Sequence, residues 1–360
     1  MSATTSQAYD APTSRTPTRA VGLWLLVCCA MVLAMAVIGA ITRLTESGLS
    51  IMEWAPVTGA LPPLSEAEWQ RLFELYRQIP EYRQQNAGMD LAAFRTIFWW
   101  EYVHRLWGRL IGVAFALPLI WFWWRGQIDR PLGKQLVFAF ALGALQGGLG
   151  WFMVASGFAE RSDVSQYRLT AHLALALIIY GYLFWLALGV LWPRVERSHD
   201  AAAVTLRRVL LGLLVLVAVT IVSGGFVAGL NAGLTYNTFP LMDGALIPAG
   251  YGDLSPWTLN LFENIAAVQF NHRLLAVTTV ILALVLWLVS LHRDIAPAAH
   301  GGFAALAILA LIQLALGITT LLLVVPVTLG ALHQAGAILV LTATLWTLYH
   351  LRGRPEANRP

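Results

Sequence analysis

The sequence predicts an all-α, polytopic membrane protein whose eight transmembrane helices form two tandem four-helix bundles, related by a pseudo-two-fold axis along the membrane normal. Three observations carry this. Of 360 residues, 58% are hydrophobic and only 12% charged, with a mean hydropathy of +0.67, far from the balance of a water-soluble domain. Eight apolar runs are each long enough to cross a bilayer, which takes about 20 residues. The second half of the chain also repeats the first.

The elements follow in order. Residues 1–20 form a polar, Ser- and Thr-rich tail, and the first run, near 21–42, has no small-residue cleavage site behind it. It reads as an uncleaved span rather than a signal peptide. A long loop, 43–96, follows; its stretch 64–95 mixes apolar and charged residues, as one or two short amphipathic helices at the outer surface would. Spans near 97–124, 133–155 and 168–192 complete an N-terminal half, 21–195. The C-terminal half, 205–350, holds spans near 207–229, 264–291, 301–323 and 326–349 and ends in a short tail, 351–360.

Arg15, Arg19, Arg125, Arg130, Lys134, Arg194, Arg197, Arg207, Arg208, Arg293, Arg352, Arg354 and Arg359 fall on one side of this arrangement. The positive-inside rule therefore places both termini in the cytoplasm. The opposite side has Arg161 and Arg168 between the third and fourth spans, and its exception is the first outer loop, with Arg43, Arg71, Arg77, Arg83 and Arg95 among seven acidic residues. The net charge of +4 reflects basic flanks facing anionic lipid and gives no argument for nucleic acid. Cys28 and Cys29, the only cysteines, are adjacent within the first span, where they can form neither an ordinary disulfide nor a thiolate metal site.

The repeat is read directly. GAITRLTESGLSIMEWAPVTGALPP at 39–63 aligns without a gap on GGFVAGLNAGLTYNTFPLMDGALIP at 224–248, an offset of 185. EYVHRL at 101–106 then meets QFNHRL at 269–274, with the offset reduced to 168 by the longer first loop. Gln146 and Gly150 meet Gln313 and Gly317, and His172 in TAHLAL meets His333 in ALHQAG.

Four histidines thus stand at duplicated places, His104 with His172 and His272 with His333, each near the outer start of a span. A single intramembrane histidine commonly hydrogen-bonds a neighbouring helix. Matched pairs on facing helices are a means of holding heme iron in a bundle, and ionisable groups inside spans point to function. His199, His292, His300 and His350 lie at cytoplasmic ends and read as solvated or interfacial. Arg105, Arg109 and Arg273 neighbour the paired histidines; they either bind heme propionates through charge-assisted hydrogen bonds or snorkel toward the interface. Gly147, Gly148, Gly150, Gly224 and Gly225 would admit a close helix or a flat macrocycle.

One difference separates the halves. Where the first has Glu101, three residues before His104, the second has Gln269. A carboxyl beside a heme can move protons or stabilise developing positive charge, and an amide can do neither well. Glu101 could also simply neutralise Arg105, four residues on.

EYVHRLWGR preceded by TRLTESGLSI and followed by TAHL, then NHRLLA and ALHQAGA, resembles the heme A synthase family over about 21–350, in its cysteine-free proteobacterial and mitochondrial branch. The resemblance implies oxidation of the C8 methyl of heme O to a formyl group by two successive hydroxylations, giving heme A for cytochrome c oxidase. It implies that His272 and His333, with Arg273, hold a resident heme b. His104 and His172, with Arg105, would flank the substrate heme while Glu101 assists catalysis. It further implies a protoheme farnesyltransferase (heme O synthase) as the supplier of heme O. A diheme b-type cytochrome that oxidises a quinol is the competing reading. The electron donor, the oxygen source and any homo-oligomer are left open.

Overall fold

The computed structural model describes residues 18–55, 58–155, 158, 164–193 and 201–351; the tails and Arg161 and His199 lie outside them. Among the described residues, eight helices are long and apolar enough to cross a membrane: α1 (Arg19–Leu44), α4 (Leu91–Trp124), α5 (Arg130–Ala155), α6 (Gln166–Leu191), α7 (Ala201–Gly229), α8 (Ile265–Ser290), α9 (Pro297–Leu322) and α10 (Val327–His350). The chain is a multi-pass membrane protein. No β-strand occurs among the described residues.

The helix that carries the second span extends outward beyond the apolar run expected near 97–124. α4 begins at Leu91 rather than near 97, because the Asp90 carboxylate accepts the Ala93 N–H at 2.8 Å and caps it there. Arg95 interrupts the apolar run but not the helix, since it pairs with Glu66 and lies over the Trp69 ring at 5.1 Å. The loop insert contains two short helices, α2 (Glu66–Tyr76) and α3 (Pro80–Gln84). Ser65 caps α2 by accepting the Glu68 N–H. Trp69, Leu72, Phe73 and Tyr76 recur at helical spacing and are buried against Phe94, Phe98 and Tyr102 of α4. The amphipathic face expected from the sequence therefore covers protein, the projecting end of α4.

Each half is a ring of four spans. In the first, α1 packs on α4, α4 on α5, α5 on α6 and α6 on α1; in the second, α7, α8, α9 and α10 follow the same order. The halves meet through α1 and α6 on one side and α7 and α10 on the other. The contact of α1 with α10 has its mate in α6 with α7, as a two-fold relation requires. This inner seam is close-packed: the Tyr180 and Thr342 hydroxyls are 2.7 Å apart, Tyr349 Oη donates to the Trp192 carbonyl at 2.7 Å, and Gly229 lies against Gln166. A continuous apolar core runs through it, from Leu25 and Cys28 through Leu183 and Leu188 to Leu341 and Leu348.

The choice for His350 between a solvated and an interfacial place narrows, and the expected glycine contacts divide. His350 is buried against the rings of Trp346, Tyr349 and Trp192 rather than solvated, the first with centroids 4.4 Å away. A β-carbon at Gly147 or Gly148 would meet only open space, whereas one at Gly225 would press on Thr170.

Candidate heme sites

The four duplicated histidines occupy equivalent corners. His104 on α4 and His172 on α6 stand at opposite corners of the first ring, and His272 on α8 and His333 on α10 at those of the second. Every one has a glycine at its back. A β-carbon on Gly39, Gly150, Gly224 or Gly317 would lie 3.1, 3.0, 3.1 and 2.8 Å from Cε1 of His104, His172, His272 and His333 respectively. Those distances are shorter than ordinary carbon–carbon contact: a side chain at residue 317 would force a shift, and at 39, 150 or 224 the ring would have to give by a few tenths of an ångström. Gly150 and Gly224 do the work expected of small residues; Gly39 and Gly317, seen in the sequence only as repeat matches, do the same.

The rings of His272 and His333 have centroids 6.5 Å apart and planes at 83°. Two imidazoles sharing one metal through bonds of about 2 Å would be spaced much like this. In the first half, Nδ1 of both His104 and His172 is buried without a hydrogen-bond partner. Neither ring is held by a hydrogen bond at that nitrogen, which leaves Nε2 as the atom a metal would take. The paired, glycine-backed imidazoles of each half fit a heme held between them.

A glutamine braces the second histidine of each pair. Gln146 Nε2 donates to the His172 carbonyl at 3.0 Å and lies 3.3 Å from its Nε2; Gln313 Nε2 donates to the His333 carbonyl at 2.8 Å and lies 3.1 Å from its Nδ1. The glutamine therefore meets the nitrogen an iron would take in one half, and the opposite nitrogen in the other.

The arginines hold the outer loops over these sites. Arg105 donates to the carbonyls of Ile51 and Glu53 at 2.7 and 3.0 Å. Arg273 donates to those of Tyr236 and Thr238, both at 2.8 Å, which are the same positions in the repeat. Each guanidinium also takes the residue four places earlier, Arg105 the Glu101 Oε1 at 2.6 Å and Arg273 the Gln269 Oε1 at 2.7 Å. Neither is a free snorkelling cation. Arg109 holds the Ala55 carbonyl at 2.8 Å and has no counterpart, Val277 standing in its place.

Glu101 is 3% exposed and receives more than the arginine. Its Oε2 accepts the Ser50 hydroxyl at 2.7 Å and the Ile51 N–H at 2.8 Å. The pairing with Arg105 anticipated from spacing is present, and it is one part of a network whose every member donates to the carboxylate. Gln269 instead donates through Nε2 to the Ala232 carbonyl at 2.6 Å. Its amide is a structural link between α8 and its loop.

The closest environments differ at a residue that sequence comparison passed over. Ser223 Oγ lies 2.8 Å from Nδ1 of His272 and 2.7 Å from the Thr220 carbonyl. It stands one position before the aligned block, where the first half has Ile38.

Comparison with known proteins agrees with this architecture. The family described as cytochrome oxidase assembly protein matches residues 22–345. The chain is 52% identical over 332 residues to the heme A synthase of Nitrosospira multiformis, covering 92% of this chain and 93% of that one. It is 54% identical over 341 residues to that of Rhodospirillum centenum, covering 95% and 90%. It is 51% identical over 341 residues to that of Paramagnetospirillum magneticum, covering 93% and 95%. A duplicated eight-span bundle with a glycine-backed histidine pair in each half, matched over nearly its whole length, belongs to the heme A synthase family.

Proposed function

We propose that the chain oxidises the C8 methyl of heme O to a formyl group, yielding heme A, with the two halves in different roles. His272 and His333 hold a resident heme b, which supplies electron transfer when bound. His104 and His172 receive the substrate heme, and Glu101 is the catalytic group beside it. The observation that carries this division is Glu101 against Gln269, a carboxylate and an amide at equivalent places in otherwise matching seats.

The chemistry gives the carboxylate work to do. Each of the two hydroxylations replaces one methyl C–H with C–OH, a two-electron oxidation whose oxygen atom is brought by water or dioxygen, and the second gives a hydrate that loses water to leave the formyl group. Each oxidation removes hydrogen from carbon and draws electron density from the macrocycle edge, so a fixed negative charge and a proton acceptor both lower the barrier. Glu101 is fixed on one oxygen by Arg105 and on the other by Ser50 and Ile51. The Ser50 hydroxyl offers a short exit for a proton toward the outer loop. Arg105 and Arg273 hold the loops at the outer rim, where their remaining N–H groups suit heme propionates.

The membrane setting fits a substrate with a farnesyl tail, delivered by a membrane farnesyltransferase. We place the protein in the inner membrane with both termini cytoplasmic and the heme seats toward the outer face, as the distribution of Arg and Lys indicates.

Expression together with a source of heme O should give heme A in pigment extracts. Glu101→Gln, which copies the second half, should stop its formation while the bound heme remains visible in the purified protein. Bound heme b alone, with no formyl heme from the unaltered protein, would instead support the quinol-oxidising cytochrome.

A further inference from the structure

We propose that Ser223 locks His272 in the tautomer that presents Nε2 to heme iron, and that Ile38 withholds this lock from His104. One position in the repeat then sets which half keeps its heme and which half exchanges it. The inference rests on the assignment of resident heme to the second half and substrate heme to the first.

The argument starts from a single proton. A serine hydroxyl has one hydrogen to donate, and that of Ser223 is directed to the Thr220 carbonyl at 2.7 Å, one turn back along α7. Toward His272 Nδ1, 2.8 Å away, the same oxygen can therefore only accept. Nδ1 must carry the imidazole hydrogen, and Nε2 is left with its lone pair free for metal. A hydrogen bond from Nδ1–H also fixes the ring plane and makes the opposite nitrogen a stronger donor.

The first half lacks this device. The repeat runs without a gap from 39 to 63, and Gly39 and Gly224 back their histidines at the same 3.1 Å, so position 38 is the structural counterpart of 223. Isoleucine offers no acceptor, and His104 Nδ1 is buried with no hydrogen-bond partner. His104 is free to change tautomer and ring orientation, and it makes a weaker axial ligand. Such a ligand suits a heme that must arrive, react and leave. The glutamines brace the second histidine of each pair through its backbone carbonyl in both halves, and differ only in the ring nitrogen they approach, Nε2 of His172 and Nδ1 of His333.

The test uses the full-length protein purified in detergent, with an excess of a heme-scavenging apoglobin as the probe and the Soret and α-band absorbance as the readout. Ser223→Ala should speed loss of the resident heme by about 10- to 100-fold, the usual effect of removing the hydrogen-bond partner of a metal-bound histidine. It should also shift the heme midpoint potential upward, because a less basic imidazole stabilises ferric iron less. Ser223→Thr, which keeps the hydroxyl, should restore both. Ile38→Ser should give protein that retains a second heme through purification and forms product more slowly. Unchanged heme loss and potential in Ser223→Ala, or no additional heme in Ile38→Ser, would overturn the proposal. The assignment beneath it has a separate control: if His104→Ala, and not His272→Ala, removed the resident heme, that assignment would fail whatever Ser223 does.

Discussion

The two halves of this protein share a ring of four helices, a histidine pair, a glycine behind each histidine and an arginine holding the loop above. Around the histidines they part at three positions on which the proposed roles turn. Glu101 meets Gln269, Ile38 meets Ser223, and Arg109 meets Val277. The helix frame and the histidine pairs are therefore common to both halves, and the proposed division between holding a heme and transforming one rests on the polar groups around the histidines. The first half has a buried carboxylate and histidines with unpartnered nitrogens; the second has an amide and histidines whose Nδ1 is engaged.

The strongest way to break this comparison is to remove one histidine from each half. His272→Ala should lower bound heme per protein by more than tenfold and abolish the low-spin spectrum. His104→Ala should leave that spectrum in place while ending heme A formation. Equal loss of bound heme from both variants would mean that the halves are alike after all.

A smaller effect is expected from the glycines. A β-carbon at residue 317 would come within 2.8 Å of His333 Cε1, so Gly317→Ala must push the ring or its helix aside, an overpacking change of about 1–3 kcal/mol. Heme occupancy of the resident seat should fall several-fold, measured as the ratio of Soret to protein absorbance. Gly39→Ala, in the other half, should leave that ratio unchanged.

The smallest effect concerns the insert that only the first half carries. Glu81 on α3 is buried and accepts the Tyr76 hydroxyl at 3.1 Å. Burial pushes its carboxyl up to about 8, against the opposing pull of that hydrogen bond, and the negative charges of Glu101 and Glu46 add to the rise. A raised folded value means that the folded insert prefers the protonated acid. Its stability should decline as pH rises from the ordinary carboxyl range to about 8, and level off above that. Hydrogen exchange in α2 and α3 should quicken over this window, and Glu81→Gln should flatten the dependence. No change is expected in the second-half loop.

Much of this was legible in the sequence because it rests on periodicity and repetition. The eight spans follow from apolar length, and Glu101 stands out against Gln269 because both sit inside an aligned motif. Ser223 was not legible in the same way. It lies just outside the block of matching residues, at a position where the halves differ, and a search for likeness passes over it. The roles of Arg105 and Arg273 were half legible. Their acceptors are the backbone carbonyls of Ile51, Glu53, Tyr236 and Thr238, and a carbonyl has no residue type to announce it. The early start of α4 was hidden by Arg95, whose charge ends the apolar run although its side chain is held by Glu66 and Trp69.

The inner seam, where α1 meets α10 and α6 meets α7, is the kind of surface on which two identical chains could once have paired. An assembly of identical chains has no freedom to place serine at one seat and isoleucine at the other, because every change is written twice. Joined in a single polypeptide, the two seats could diverge independently. On the proposed reading, one became a permanent electron carrier and the other a bench on which successive hemes are worked.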